Sequence, residues 1–127
     1  MDWDFSNFRP EELACRHTGQ EGIKYELMVA LQSLRDEMGF PFIITSGYRS
    51  LEHPIEAKKK TGGTHSLGLA VDILCSDKQA FKIVTNAAKH GFTGIGVNQK
   101  GSRDQRFIHL DIACLLYTSD AADEADG

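Results

Sequence analysis

Apolar and polar positions alternate along this chain with two periods, and the changes between them mark its elements. A short first helix is predicted over Pro10 to Ala14, with Pro at an early position and Glu11 and Glu12 near the positive end of the helix dipole. Residues 24 to 38 place Leu27, Leu31, Leu34 and Met38 on one helical stripe that stops at Gly39. Phe42-Ile43-Ile44-Thr45, set off by Pro41 and Ser46-Gly47, reads as a buried strand ending in a turn. Residues 50 to 60 read as helical but interrupted by Pro54, with Lys58, Lys59 and Lys60 forming a solvated face. Leu69-Ala70-Val71-Asp72-Ile73-Leu74 is a second strand, broken by a lone carboxylate. Ser76-Asp77-Lys78-Gln79 has a capping-box pattern, and Ala80, Phe81, Val84, Ala87 and Ala88 follow at helical spacing until Gly91, which predicts a helix over 77–90. Gly94 to Val97 and Arg106 to Ile112 then read as two strands paired across the polar loop Asn98 to Gln105. Helices first, then strands mixed with helices, give an α+β domain with a mainly antiparallel sheet and flanking helices.

Composition narrows this picture. A chain of 127 residues, 41% hydrophobic and 25% charged, fits one globular domain with a real core. The net charge of -4 is carried by Asp120, Asp123, Glu124 and Asp126, so residues 1–113 are balanced and nothing electrostatic points to nucleic acid. No apolar run is long enough to cross a bilayer, and the first residues have neither the basic nor the apolar region of an export signal. The three cysteines, Cys15, Cys75 and Cys114, form no CxxC pair. Cys75 is expected to pack as a small apolar residue, with a bridge to Cys15 as the lesser alternative. After Ala113 the strand pattern gives way to an Ala/Asp-rich stretch that resembles the translation of a transposon-derived sequencing adapter. Residues 1–113 are therefore read as the domain and 114–127 as a non-native tail of low apolar content, for which disorder is expected; a genuine acidic tail is the alternative.

The carboxylate inside the second strand carries the chemistry. A buried Asp is rare unless paired or bound to a metal, so Asp72 asks for a cation. His65 lies seven residues earlier. Fully extended, that stretch would span roughly 23 Å, far more than two ligands each about 2.0 to 2.2 Å from one zinc allow, so the chain must fold back. Gly68 and the Gly62-Gly63 pair give it the freedom to do so. His109 lies in the apolar strand 107–112, where strand alternation puts it on one face with Phe107 and Asp111. Two histidines and a carboxylate make a catalytic zinc set that leaves a fourth position to water. Each of them alone is more commonly a satisfied core or surface residue; the combination carries the signal.

Three ordered motifs extend it: Ser46-Gly47-Tyr48-Arg49-Ser50, Gly63-Thr64-His65-Ser66-Leu67-Gly68-Leu69-Ala70-Val71-Asp72-Ile73 and Phe107-Ile108-His109-Leu110-Asp111. Together with Phe5-Ser6-Asn7-Phe8 and Glu12-Leu13-Ala14-Cys15, they resemble the zinc D-Ala-D-Ala carboxypeptidases and peptidoglycan endopeptidases, whose fold is shared with hedgehog signalling domains. The resemblance implies that His65, Asp72 and His109 bind zinc, and that Arg49 contacts a substrate carboxylate, a task that suits its planar fork; a surface ion pair is the plainer alternative. It also implies hydrolysis of peptidoglycan stem peptides, by a D,D-carboxypeptidase or endopeptidase such as a phage lysis enzyme. Such an enzyme acts on the cell wall, in the periplasm, outside the cell or after phage release, as a monomer without membrane or nucleic-acid partners. A zinc-containing, non-catalytic wall-binding module on the same fold is the alternative. Two positions depart from the pattern: Gly63 stands where relatives often have Ser, and Arg106 where several have an acidic general base. For the base, Asp111 is the first candidate because it shares a face with His109, and Asp104 in the preceding loop is the second. Asp111 has a competing role as the acceptor that orients His109. His17, His53 and His90 lie outside the motifs, His53 reading as a helix-start residue and His90 as helix C-terminal.

Overall fold

The computed structural model of the protein describes residues 3–57 and 63–113. Leu27, Met28, Leu31, Leu34 and Met38 turn inward along helix α2 (Tyr25–Met38), after the short α1 (Pro10–Leu13). Helix α2 ends where Gly39 takes the left-handed φ of 76° and its N–H bonds the Arg35 carbonyl. Strand β1 (Ile43–Ser46), helix α3 (Pro54–Ala57) and strand β2 (Ala70–Leu74) follow. Helix α4 (Asp77–Asn86), strand β3 (Gly94–Asn98) and strand β4 (Phe107–Asp111) complete the order, with 3-10 turns at Ala87–His90 and Arg103–Gln105. All pairings in the four-stranded sheet are antiparallel, in the order β1-β2-β4-β3, as an α+β domain of the expected class requires.

The register sorts the two central strands into two faces. Val71 pairs with Leu110 and Ile73 with Ile108, all fully buried in the core with α2 and α4, which pack on each other. One residue out of phase, Asp72 pairs with His109 and Ala70 with Asp111, on the opposite face. Among the described residues, no helix is long and apolar enough to cross a membrane.

Several expectations need correction. The first strand is not buried throughout: β1 is an edge strand, Ile43 is 57% exposed and only Ile44 enters the core, while Phe42 packs inside just before the strand begins. Helix α3 starts at Pro54, so this proline opens a helix rather than interrupting one. Ser76 makes no side-chain cap, and α4 opens at Asp77 with a φ of 55°. Asp tolerates that conformation, and its carboxylate pairs with Arg103 at 2.7 Å and Arg106 at 3.8 Å. The helix expected over 77–90 is α-helical only to Asn86 and then tightens into the 3-10 turn, closed by Gly91 at φ 100°. Its inward stripe is Ala80, Ile83 and Ala87, which leaves Phe81 69% exposed and Ala88 outside the core. Cys15 and Cys75 are both buried and free, so no bridge forms and Cys75 packs in the core as expected. Cys114, the tail, Lys58 to Lys60 and Gly62 lie outside the described residues.

Candidate metal centre

Asp72 sits at the middle of β2 with only 6% of its surface exposed. Its antiparallel partner on β4 is His109, and its partner on β1, past a break in register after Ile44, is Ser46. His65 arrives from a loop that folds back on itself: Gly63 accepts from Ser66 and Leu67 N–H, His65 from Gly68 N–H at 3.2 Å, and Thr64 from Leu69 N–H at 3.0 Å. Gly68 is needed twice over, since its φ is +75° and a Cβ there would stand 2.1 Å from the Gly22 carbonyl oxygen. Lys24 N–H bonds the Gly68 carbonyl at 2.9 Å, so the segment before α2 straps the His65 loop in place.

The three side chains meet at one oxygen. His65 Nε2 lies 3.2 Å and His109 Nδ1 3.0 Å from Asp72 Oδ1, with the two rings 5.1 Å apart at their centroids. One ligand atom from each falls within 4.8 Å of the others, and among the described residues this is the group of His, Cys, Asp or Glu side chains that can hold a metal ion. Each imidazole is anchored by its outer nitrogen: His65 Nδ1 bonds the Gly47 carbonyl at 2.8 Å, and His109 Nε2 bonds Asp111 Oδ2 at 2.8 Å. This is the arrangement in which protein acceptors orient histidines toward an ion, so the residues present fit a metal.

The electrostatics follow from these contacts. Burial pushes the Asp72 carboxyl up, but hydrogen bonds from His109 and His65 outweigh it and bring its pKa down to about 2. His109 is raised to about 9 by its bonds to Asp111 and then Asp72, against the opposing effect of burial. The bond from His109 lowers Asp111 in turn.

The other predicted site residues divide. Arg49 stands beside the cluster, Nη2 at 3.5 Å from Asp72 Oδ2 and Nε donating to Ser46 Oγ at 3.0 Å, while its backbone N–H bonds the His65 carbonyl at 3.1 Å. Asp111 adjoins the cluster through His109. Asp104 is exposed on the 3-10 turn at Arg103–Gln105, where Ser102 Oγ donates to it. Arg106 is tied to Asp77 and to the Gly101 carbonyl. His53 accepts the Ile55 N–H at the start of α3, and His90 ends the 3-10 turn after α4, paired with Glu37 of α2 at 2.6 Å, so both lie where expected. Sequence reasoning missed the Gly47 carbonyl, whose contact with His65 spans 18 residues and leaves no compositional trace. A side chain at position 47 would meet the Leu13 carbonyl oxygen at 2.6 Å, which accounts for glycine there.

Comparison with curated proteins returns no match. The sequence model of the peptidase M15 family matches residues 6–111, which span α1 to β4 and all three converging side chains. That match covers most of the chain, on the hedgehog/DD-peptidase-like architecture that its motifs implied, and the chain belongs to the peptidase M15 family of zinc metallopeptidases.

Proposed function

We propose that this protein is a zinc-dependent peptidase that hydrolyses peptide bonds in bacterial peptidoglycan stem peptides, as a D,D-carboxypeptidase or endopeptidase. The observation that carries the reading is the convergence of His65 Nε2, Asp72 Oδ1 and His109 Nδ1, each imidazole steadied from behind by a protein acceptor. Zinc held by such a set supplies Lewis acidity and a water nucleophile at neutral pH. The chain's own residues do the rest. His65 and His109 present one nitrogen each, Asp72 supplies the negative charge, and Arg49, on the same side, offers a guanidinium that binds and orients a peptide carboxylate. Of the two candidates for proton transfer, Asp111 is engaged with His109 and Asp104 with Ser102.

The same contacts favour a second reading, a zinc-containing wall-binding module without turnover. Release of peptide or D-Ala from purified peptidoglycan, with and without a chelator, decides between them: chelator-sensitive turnover supports the enzyme, and binding without turnover supports the module. Both readings place the protein at the cell wall, periplasmic, extracellular or released by phage, as a monomer without nucleic-acid or membrane partners. We also read residues 1–113 as the peptidase domain and 114–127 as an adapter-derived tail, from the loss of strand pattern after Ala113.

A further inference from the structure

Strand β3 presents glycine at 94 and again at 96, although glycine is disfavoured in strands and often marks a place where another group comes close. Backbone conformation does not demand either one, since the glycines with left-handed φ are 19, 39, 68, 91 and 101 among the described residues. Space does. Gly94 is the cross-strand partner of Asp111, and a Cβ there would lie 2.3 Å, 2.4 Å and 2.6 Å from Oδ1, Oδ2 and Cγ of that carboxylate. Gly96 faces His109 in the same way, with a Cβ 3.2 Å from the His109 Cβ.

The Asp111 carboxylate is thus leaned over its neighbouring strand into the volume a side chain at 94 would fill. There Oδ2 meets His109 Nε2 at 2.8 Å and Oδ1 accepts the Ala113 N–H at 3.2 Å, so both oxygens are engaged. The nitrogen it holds is the one turned away from Asp72.

We infer that Asp111 and Gly94 act as a positioning couple, Gly94 yielding the space in which Asp111 grips His109 Nε2–H and so commits Nδ1 to the metal. Neither is a catalytic residue. The inference rests on the metal reading of His65, Asp72 and His109, and it removes Asp111 as the proton acceptor.

Four proteins test it: the parent, Asp111→Ala, Gly94→Ala and the double variant, each with zinc affinity measured by chelator competition. Each single variant is expected to bind zinc about 10- to 100-fold more weakly. The double variant should be no weaker than Asp111→Ala, because Gly94 acts through Asp111. Asp111→Asn, which keeps an acceptor oxygen, should recover part of the loss. Affinity within about twofold of the parent in Asp111→Ala, with turnover abolished, would make Asp111 the general base and overturn the inference. Additive losses in the double variant would overturn the part assigned to Gly94. Histidine labelled with 15N gives a readout independent of metal and of turnover: the His109 Nε2–H should be slow to exchange in the metal-free parent and fast in Asp111→Ala. A parent that binds no zinc but keeps this protected proton would refute the proposed function and the metal half of the inference together, leaving the hydrogen bond itself. A parent that binds zinc with an unprotected proton would refute the couple alone.

Discussion

The two faces of β4 obey different rules. Ile108 and Leu110 point into the core and meet Ile73 and Val71, in a packing that any apolar group of similar volume satisfies approximately. His109 and Asp111, each one residue away, point to the other face and take part in contacts where the identity of a single ring nitrogen matters. One strand of five residues therefore carries both the tolerance of a core and the intolerance of a candidate coordination site. Damage to one face should leave the other largely intact, because alternation keeps their side chains apart.

The strongest way to break the site face is His109→Ala. Zinc content by metal analysis should fall from about one equivalent to near zero, while the circular dichroism of the folded protein is retained; unchanged zinc would reject the assignment. The converse is Leu110→Ala, a fully buried position. It should destabilise the fold by about 2 to 5 kcal/mol in denaturant titration, yet the folded fraction should still carry one zinc. If it lost zinc in proportion to stability, the faces would be coupled.

Arg49→Lys sharpens the comparison within the site face itself. An ammonium keeps the charge beside Asp72 but not the two-pronged contact with a carboxylate, so kcat/KM on a stem-peptide analogue should drop on the order of 10- to 100-fold with zinc content unchanged. Activity within a few-fold of the parent would return Arg49 to a purely structural role.

The site face also carries a dependence on pH. His109 is raised to about 9 in the metal-free protein, so zinc must displace its proton. Apparent zinc affinity should rise about tenfold per pH unit toward 9 and level off above it. Stability of the metal-free fold runs the other way: the contribution from protonated His109 is complete below its ordinary value of 6.5 and is lost as pH climbs through about 9. A thermal midpoint that rises over that interval would contradict the sign.

Local periodicity made much of this legible. The helical stripe of α2, the polar break at Asp72 and the shared face of His109 and Asp111 follow from spacing alone, since periods of 3.6 and 2 are properties of neighbouring residues. What spacing does not contain is partnership. That β1 stands at a sheet edge, exposing Ile43, depends on which strand pairs with β2 on its other side. The choice of Ala80 and Ile83, continued by Ala87 of the 3-10 turn, over Phe81 as the inner stripe depends on where α2 and β4 meet α4. The reason for glycine at 94 is a carboxylate 17 positions away.

The strand order has a kinetic consequence. Asp72 and His109 sit on β2 and β4, the two strands with neighbours on both sides, whereas His65 hangs from turns held by the backbone N–H groups of Lys24 and Arg49. Sheet interiors open only near the cost of global unfolding, and loops open far more cheaply. An ion bound here would therefore escape by letting go of His65 first, and its residence time would be set by the opening rate of residues 63–69 rather than by the stability of the domain.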